Sequence, residues 1–177
     1  MTPIANPFDL KDVRLRDGPF KLNQDRAAGY LLSLEPDRLL AGFREEAGLT
    51  PKAARYGGWE SMGLAGHSLG HYLSGCGGMF AATSDARFKQ RVDYVVTELA
   101  ECQQANGDGY LAALKDGKRL FAEVAAGDIR SQGFDLNGGW VPWYNIHKTL
   151  AGLRDAFRHT GNQQVLQVWR KLSECSN

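Results

Sequence analysis

Three cysteines, Cys76, Cys102 and Cys175, are too few and too irregularly spaced for a disulfide framework. No apolar run approaches the roughly 18 residues that span a bilayer. Lysine plus arginine (21) nearly cancels aspartate plus glutamate (20), for a net charge of +1. That leaves no basic stripe for nucleic acid and no polybasic patch for a membrane. A phosphate-cradling glycine loop, a G-x-S-x-G elbow and a CxxC pair are all missing. The opening "MTPIANPFDLKDV" lacks the basic and apolar regions of a signal peptide. A native start would therefore imply a cytoplasmic protein, and a processed one a periplasmic or secreted protein.

What is present reads as helix. The 177 residues, 43% hydrophobic, suit one globular domain or part of a larger one. Residues 1–22 read as an irregular arm, in which "VRLRDGPF" permits a short strand. Helices are expected from Asn23 to just before Pro36, from Pro36 to Gly48, and from about Leu64 to Thr83. The third carries an apolar stripe of Leu69, Tyr72, Leu73, Cys76 and Phe80 in steps of one, three and four. Ser84-Asp85 caps the next helix, which should bury Phe88, Val92, Val95, Leu99 and Cys102. Residues 115–139 are rich in glycine and hold one short helix near "LFAEVAAG". Pro142 opens a helix with the stripe Ile146, Leu150, Leu153, Phe157, and a last helix carries Val165, Val168, Trp169 and Leu172. No sheet is expected. Cys76 and Cys102 fall on apolar stripes, so they should be packing thiols.

Two hairpins superimpose with an offset of 77 residues. Leu69 falls on Ile146, Leu73 on Leu150, Gly75 on Gly152, Phe80 on Phe157, Thr83 on Thr160, Phe88 on Val165 and Val92 on Trp169. Stacked hairpins of this kind build a solenoid or a closed helical toroid.

Candidate site residues cluster at helix starts. In "GHSLGHYLSGCGG", His67 and His71 stand at i and i+4 on one face. Zinc sites use that spacing, but an HExxH motif needs glutamate where Ser68 stands, and no third ligand is visible. No metal is expected. The stripe His67, His71, Ser74, Gly78 can wall a polar cavity or serve as hydrogen-bonded packing. In "WVPWYNIHKTL", Trp143, Tyr144 and His147 offer flat rings and polar tips, as a sugar site requires; a core role is the alternative. "YGGWES" places Trp59 and Glu60 on a loop leading into the histidine helix. Glu60 is either a reactive carboxylate or an anion at a helix start, and the second suits its position. "NGDGYL" lacks the later acidic ligands of a calcium loop and reads as a turn.

Six ordered stretches carry a family resemblance: "VRLRDGPF", "YLLSLEPDRLLAGFREEAGL", "YGGWES", "GHSLGHYLSG", "ELAECQQANGDGYL" and "WVPWYNIHKTLAGLRDAF". Together, from about Phe8 to Leu172, they resemble the N-terminal part of the family 127 glycoside hydrolases, with the related family 146 at least as near. The resemblance implies an all-α fold. Residues 23–177 would form helix hairpins making about half of an (α/α)6 toroid, truncated at its C-terminal side, with β-sandwich domains to follow. It implies retaining hydrolysis of terminal β-L-arabinofuranosides of plant glycans. A cysteine thiolate would attack the anomeric carbon, held by zinc on cysteines and a glutamate, and a second glutamate would serve as acid and base.

The same resemblance puts those cysteines, glutamates and zinc ligands beyond residue 177. No catalytic residue is therefore assigned in this chain, and the chain alone is expected to be inactive. Substrate contact is implied for His147, and with it His71, His67, Trp59, Glu60, Trp143 and Tyr144, the ligand being an arabinose-containing oligosaccharide. Two other readings remain: a standalone carbohydrate-binding or scaffold module, and a toroid-type sugar epimerase or lyase using the histidine pair. Half a toroid would also expose about five to ten apolar side chains at its edges, each worth ~1.5–3 kcal/mol. That sum rivals the roughly 5–15 kcal/mol stability of a domain, so self-association through those edges is expected.

Overall fold

The structure, a computed structural model, describes residues 5–174. Among them are seven α-helices: α1 (Pro19–Ser33), α2 (Pro36–Glu46), α3 (His67–Thr83), α4 (Ala86–Asn106), α5 (Gly117–Ala125), α6 (Pro142–Thr160) and α7 (Gln164–Glu174). The fold is all-α and built on helix hairpins. Cys175 lies outside the described residues.

The helices form two layers. α3 and α6 run parallel and make the most extensive packing in the chain. Gly70 faces Lys148 and, two turns on, Gly77 faces Asp155. The second layer holds α2, α4 and α7, also parallel to one another. Tyr94 donates to Asp37 (2.5 Å) and Arg44 to Glu98 (2.8 Å) across α2 and α4; Asn162 donates to Asp93 (2.7 Å) and Gln103 to the Val168 carbonyl (3.0 Å) across α4 and α7. α1 lies along α3 on the flank away from α6, with Leu31 against Gly75, and none of its side chains is fully buried.

The core fills the space between the layers. Phe88, Val92, Val95, Leu99 and Cys102 are all fully buried, as their spacing on α4 requires. Leu69, Leu73 and Cys76 meet them from α3, and Leu40 and Phe43 from α2. Arg44 and Glu98 are buried charges between α2 and α4. The Arg44 guanidinium donates to Glu98, to Glu101 (3.0 Å) and through Nε to the Thr50 carbonyl (2.9 Å), while Lys52 donates to Glu98 (2.5 Å). Both of these charges are thereby paired, as burial demands.

The offset of 77 residues is visible in atoms. Thr83 and Thr160 each donate a hydroxyl hydrogen bond to the carbonyl four residues back, both at 2.7 Å. Each also accepts from the backbone N–H two residues on, at Asp85 and Asn162. Ser84 and Gly161 then adopt the left-handed conformation, at φ of 60° and 70°, with their N–H groups returned to Phe80 and Phe157. Asp85 and Asn162 complete the match by accepting from the backbone N–H two residues further on. Gly75 and Gly152 occupy equivalent places too, each turned toward the helix that precedes its own in the layer.

Four expectations need correction. α1 starts at Pro19 rather than Asn23, because Pro19 follows a left-handed Gly18 and its fixed φ suits a first helical residue. Among its described residues the arm holds a 3-10 turn (Leu10–Asp12) and no strand, since its alternating residues find no partner strand. α3 starts at His67 rather than Leu64, because Gly66 at φ 97° closes a turn just before it. A small antiparallel sheet is present, with β1 (Ser131–Gln132), β2 (Asp135–Leu136) and β3 (Gly139–Trp140) in sequential order. Strands of two residues are too short to leave a period in the sequence.

Candidate functional site

The parallel run of α3 and α6 puts both helix starts at one end of the molecule. The contact between them is made by backbone. A Cβ on Gly70 would overlap the Lys148 carbonyl, and one on Gly152 would lie 2.5 Å from the Gly70 oxygen and 2.8 Å from its Cα. The side of α6 that faces α3 therefore carries Asn145, Thr149, Gly152 and Ala156, all buried and all small or polar. The predicted apolar stripe is turned partly aside. Ile146 and Leu153 are buried, while Leu150 and Phe157 are only half-buried.

Glu60 organises the start of α3. It ends a 3-10 turn (Gly58–Glu60) and is only 6% exposed. Its carboxylate accepts from the backbone N–H groups of Gly66 (2.9 Å) and Ser68 (3.2 Å) and lies 3.3 Å from His67 Nδ1. Those amides are among the unpaired donors of a helix start, where negative charge is favoured. Glu60 is thus the helix-start anion that its position suggested. Its carboxylate serves the fold.

His67 is the centre of the cluster. Buried at 5% exposure, it places Nδ1 2.6 Å from the Leu64 carbonyl, an arrangement that fits Nδ1–H as donor and leaves Nε2 as acceptor toward the Ser68 hydroxyl at 3.5 Å. Three rings surround it. Trp59 stands at 5.8 Å, His71 at 6.0 Å edge-on, and Tyr144 at 6.1 Å between ring centroids. One loop, α3 and α6 each contribute to this group. Trp59, at 63% exposure, presents a ring to solvent.

Lys148 joins the cluster from α6, one turn beyond Tyr144, with Nζ 4.9 Å from the Tyr144 ring centre. Partial desolvation, the Lys148 charge and His67 together depress the pKa of the otherwise exposed His71 below its ordinary value. His71 is thereby kept neutral near pH 7, able both to donate and to accept. Lys148 escaped the sequence reading. Its signal was the i+4 step from Tyr144, masked by the histidine beside it.

Trp143 and His147 sit elsewhere on α6. Four residues apart, they share a face turned away from the α3 contact. Trp143 packs on Phe121 of α5, 4.8 Å between ring centres, and His147 is exposed. Neither makes ring contact with His67 or His71. The seven predicted residues therefore form one converging group of five, with Trp143 and His147 one step around the same helix.

A hollow of about 420 Å³ opens beside the cluster, between the end of α1, the 56–60 loop and α3. Trp59, Glu60 and His71 line it, and so do Tyr30 and Tyr56, which the sequence reading passed over.

Among the described residues no three histidine, cysteine, aspartate or glutamate side chains are grouped to hold a metal ion. Burial pushes the Cys76 thiol up to about 11 and the Cys102 thiol up to about 12. Both are protonated core groups, unsuited to nucleophilic attack.

No match was found among curated proteins. A family model, described as "Beta-L-arabinofuranosidase, GH127 catalytic domain", matches residues 12–177 and so takes in every helix described above. That span carries the chain into an enzyme family, and the protein belongs to the family 127 glycoside hydrolases, within their catalytic domain.

Proposed function

We propose that this chain is the N-terminal, substrate-contacting part of a retaining glycosidase that releases terminal β-L-arabinofuranose from plant glycans. The observation that carries the reading is the meeting of Trp59, His67, His71 and Tyr144 from three separate segments at one helix end. Exposed rings offer flat apolar faces to sugar C–H groups, and a neutral His71 and Lys148 offer partners for hydroxyls. His147, exposed one turn beyond Tyr144, adds a further hydroxyl partner on the strength of the resemblance in "YNIHK".

In this reading the residues bind and orient, and the bond-breaking groups belong to chain beyond residue 177. The zinc implied by the resemblance finds no donor set among residues 5–174. The two layers of helices would be about half of an (α/α)6 toroid. Phe20, Leu22 and Tyr30 on α1, with Trp143 on α6, are the exposed apolar groups through which the isolated chain would self-associate.

Isothermal titration of the chain with L-arabinose and arabino-oligosaccharides tests the reading. Binding should weaken in Tyr144→Ala, His71→Ala and His147→Ala. An aryl β-L-arabinofuranoside should be turned over no faster than in buffer. Absence of any arabinose binding, or turnover abolished by Cys76→Ser, would sink it.

A further inference from the structure

The arm before α1 turns an apolar side to solvent. Residues 13–16 run extended between the 3-10 turn (Leu10–Asp12) and the turn at Asp17-Gly18, and Val13 and Leu15 are 46% and 42% exposed. Arg14, between them, reaches toward the body of the molecule. Its guanidinium donates to the Ser84 hydroxyl at the end of α3 (3.0 Å) and to the carbonyls of Leu10 (3.3 Å) and Val13 (3.0 Å). The 3-10 turn packs on α3 as well. A strand on a core shows the reverse, with apolar residues inward and charges outward. One edge of the segment is open too. In an extended chain, alternate residues direct their N–H and C=O groups to opposite edges. The Val13 N–H donates to the Leu10 carbonyl (3.3 Å), and its carbonyl is taken by Arg14. Arg14 and Arg16, on the other edge, make no backbone–backbone hydrogen bond among the described residues. An open edge of this kind is a template for another strand.

We propose that a second copy of this chain supplies that strand, the two arms pairing antiparallel about a twofold axis at Arg14. The charge pattern of the segment is its own complement. Lys11 then lies opposite Asp17 of the second copy, Asp12 opposite Arg16, and Val13 opposite Leu15, and the axis repeats each pair. A slip by one residue sets Asp12 against Asp17 in one direction and Lys11 against Arg16 in the other, so the charges select the register. Among the described residues the segment's one intrachain ion pair joins Lys11 to Asp9 at 3.8 Å, which leaves Asp12 and Arg16 available to a partner. The two Arg14 side chains that meet at the axis are held back by their own Ser84 and carbonyl contacts. Those contacts also order the arm beforehand, which lowers the cost of association. A ribbon this short is a small contact, so the dimer is weak and sensitive to salt. The inference is independent of the sugar reading, and its surface is separate from the exposed groups of α1 and α6.

Sedimentation equilibrium of the full chain over a range of concentrations tests the pairing. A monomer–dimer equilibrium is expected, with a Kd that rises with salt. Arg16→Asp sets like charges against each other at two places in the dimer and should raise the Kd roughly tenfold; Asp12→Arg should do the same. Both positions are exposed, so the fold of the monomer is not at stake. The double variant Asp12→Arg/Arg16→Asp exchanges the charges and should return the Kd to within about threefold of wild type. A chain that stays monomeric at every concentration overturns the proposal. So does a dimer whose Kd is unmoved by Arg16→Asp, which would assign association to the helix edges instead. A double variant as weak as the single ones overturns the register and the proposal with it.

Discussion

The two repeated hairpins agree at one end and part at the other. At their C-terminal turns, α3 and α6 use the same threonine bonds, the same left-handed residue and the same side-chain cap on the following helix. At their starts they share only a left-handed residue before the first helical position, Gly66 and Val141. α3 begins under a buried carboxylate from a loop. α6 begins at Pro142, directly after Val141, a β-branched residue held at φ 42°. That backbone region disfavours β-branched side chains, and strain of this kind collects where a site requires an unusual chain path. The turns that repeat are scaffold. The starts that diverge carry the rings.

The comparison can be broken most severely at the seam that both hairpins share. Gly152→Val would drive a side chain into the Gly70 backbone, and Gly70→Val into the Lys148 carbonyl. Each should cost about 3 kcal/mol or more, read as the loss of a cooperative melt. The starts come next, and they should respond with opposite sign. Glu60→Gln removes a charge-assisted partner from two amides and should destabilise by roughly 1.5–3 kcal/mol in urea denaturation. Val141→Asn places a residue that tolerates left-handed backbone and should stabilise by about 1 kcal/mol. A destabilised Val141→Asn would show that the turn is not strained. The matching turns provide the sharper control. Thr83→Ala and Thr160→Ala should each cost about 1 kcal/mol and agree within half that, since their bonds are the same. Unequal losses would break the equivalence.

The smallest effect concerns pH. His71, though exposed, has its folded pKa lowered below the ordinary 6.5 by partial desolvation and by Lys148 and His67. The unfolded chain therefore binds a proton that the folded chain resists. The stability this group contributes is present above about pH 6.5 and falls as pH drops toward its folded value. Thermal melts of wild type and His71→Asn between pH 7.5 and 5 should converge as the pH falls. His159 on α6 has its pKa lowered by burial in the same direction, and serves as the parallel case.

Much of this was legible in the sequence, for physical reasons that differ between residues. α4 has one apolar face and a capping aspartate, so its stripe and its start were both readable. α6 misled because its most buried side is made of Asn145, Thr149, Gly152 and Ala156. A helix that packs by backbone contact replaces apolar bulk with small residues, and a period of large side chains cannot report that. His67 and Glu60 were picked out as candidates by type and place. The ring distances that join them to Tyr144 depend on α3 and α6 lying side by side, which no local spacing encodes. Tyr30 and Tyr56 stayed hidden because their shared hollow depends on how the end of α1 meets a loop.

At Gly70 and Gly152 peptide rests on peptide, and no side chain separates α3 from α6 at that point. The backbone spacing of α3 and α6 beside His71 and Lys148 is therefore set by main-chain dimensions. On the proposed reading the two helix ends would act as the fixed jaws of a vice, and a sugar bound there would meet a constant gap. Exchanging the rings along that gap would alter what is gripped and leave its width untouched.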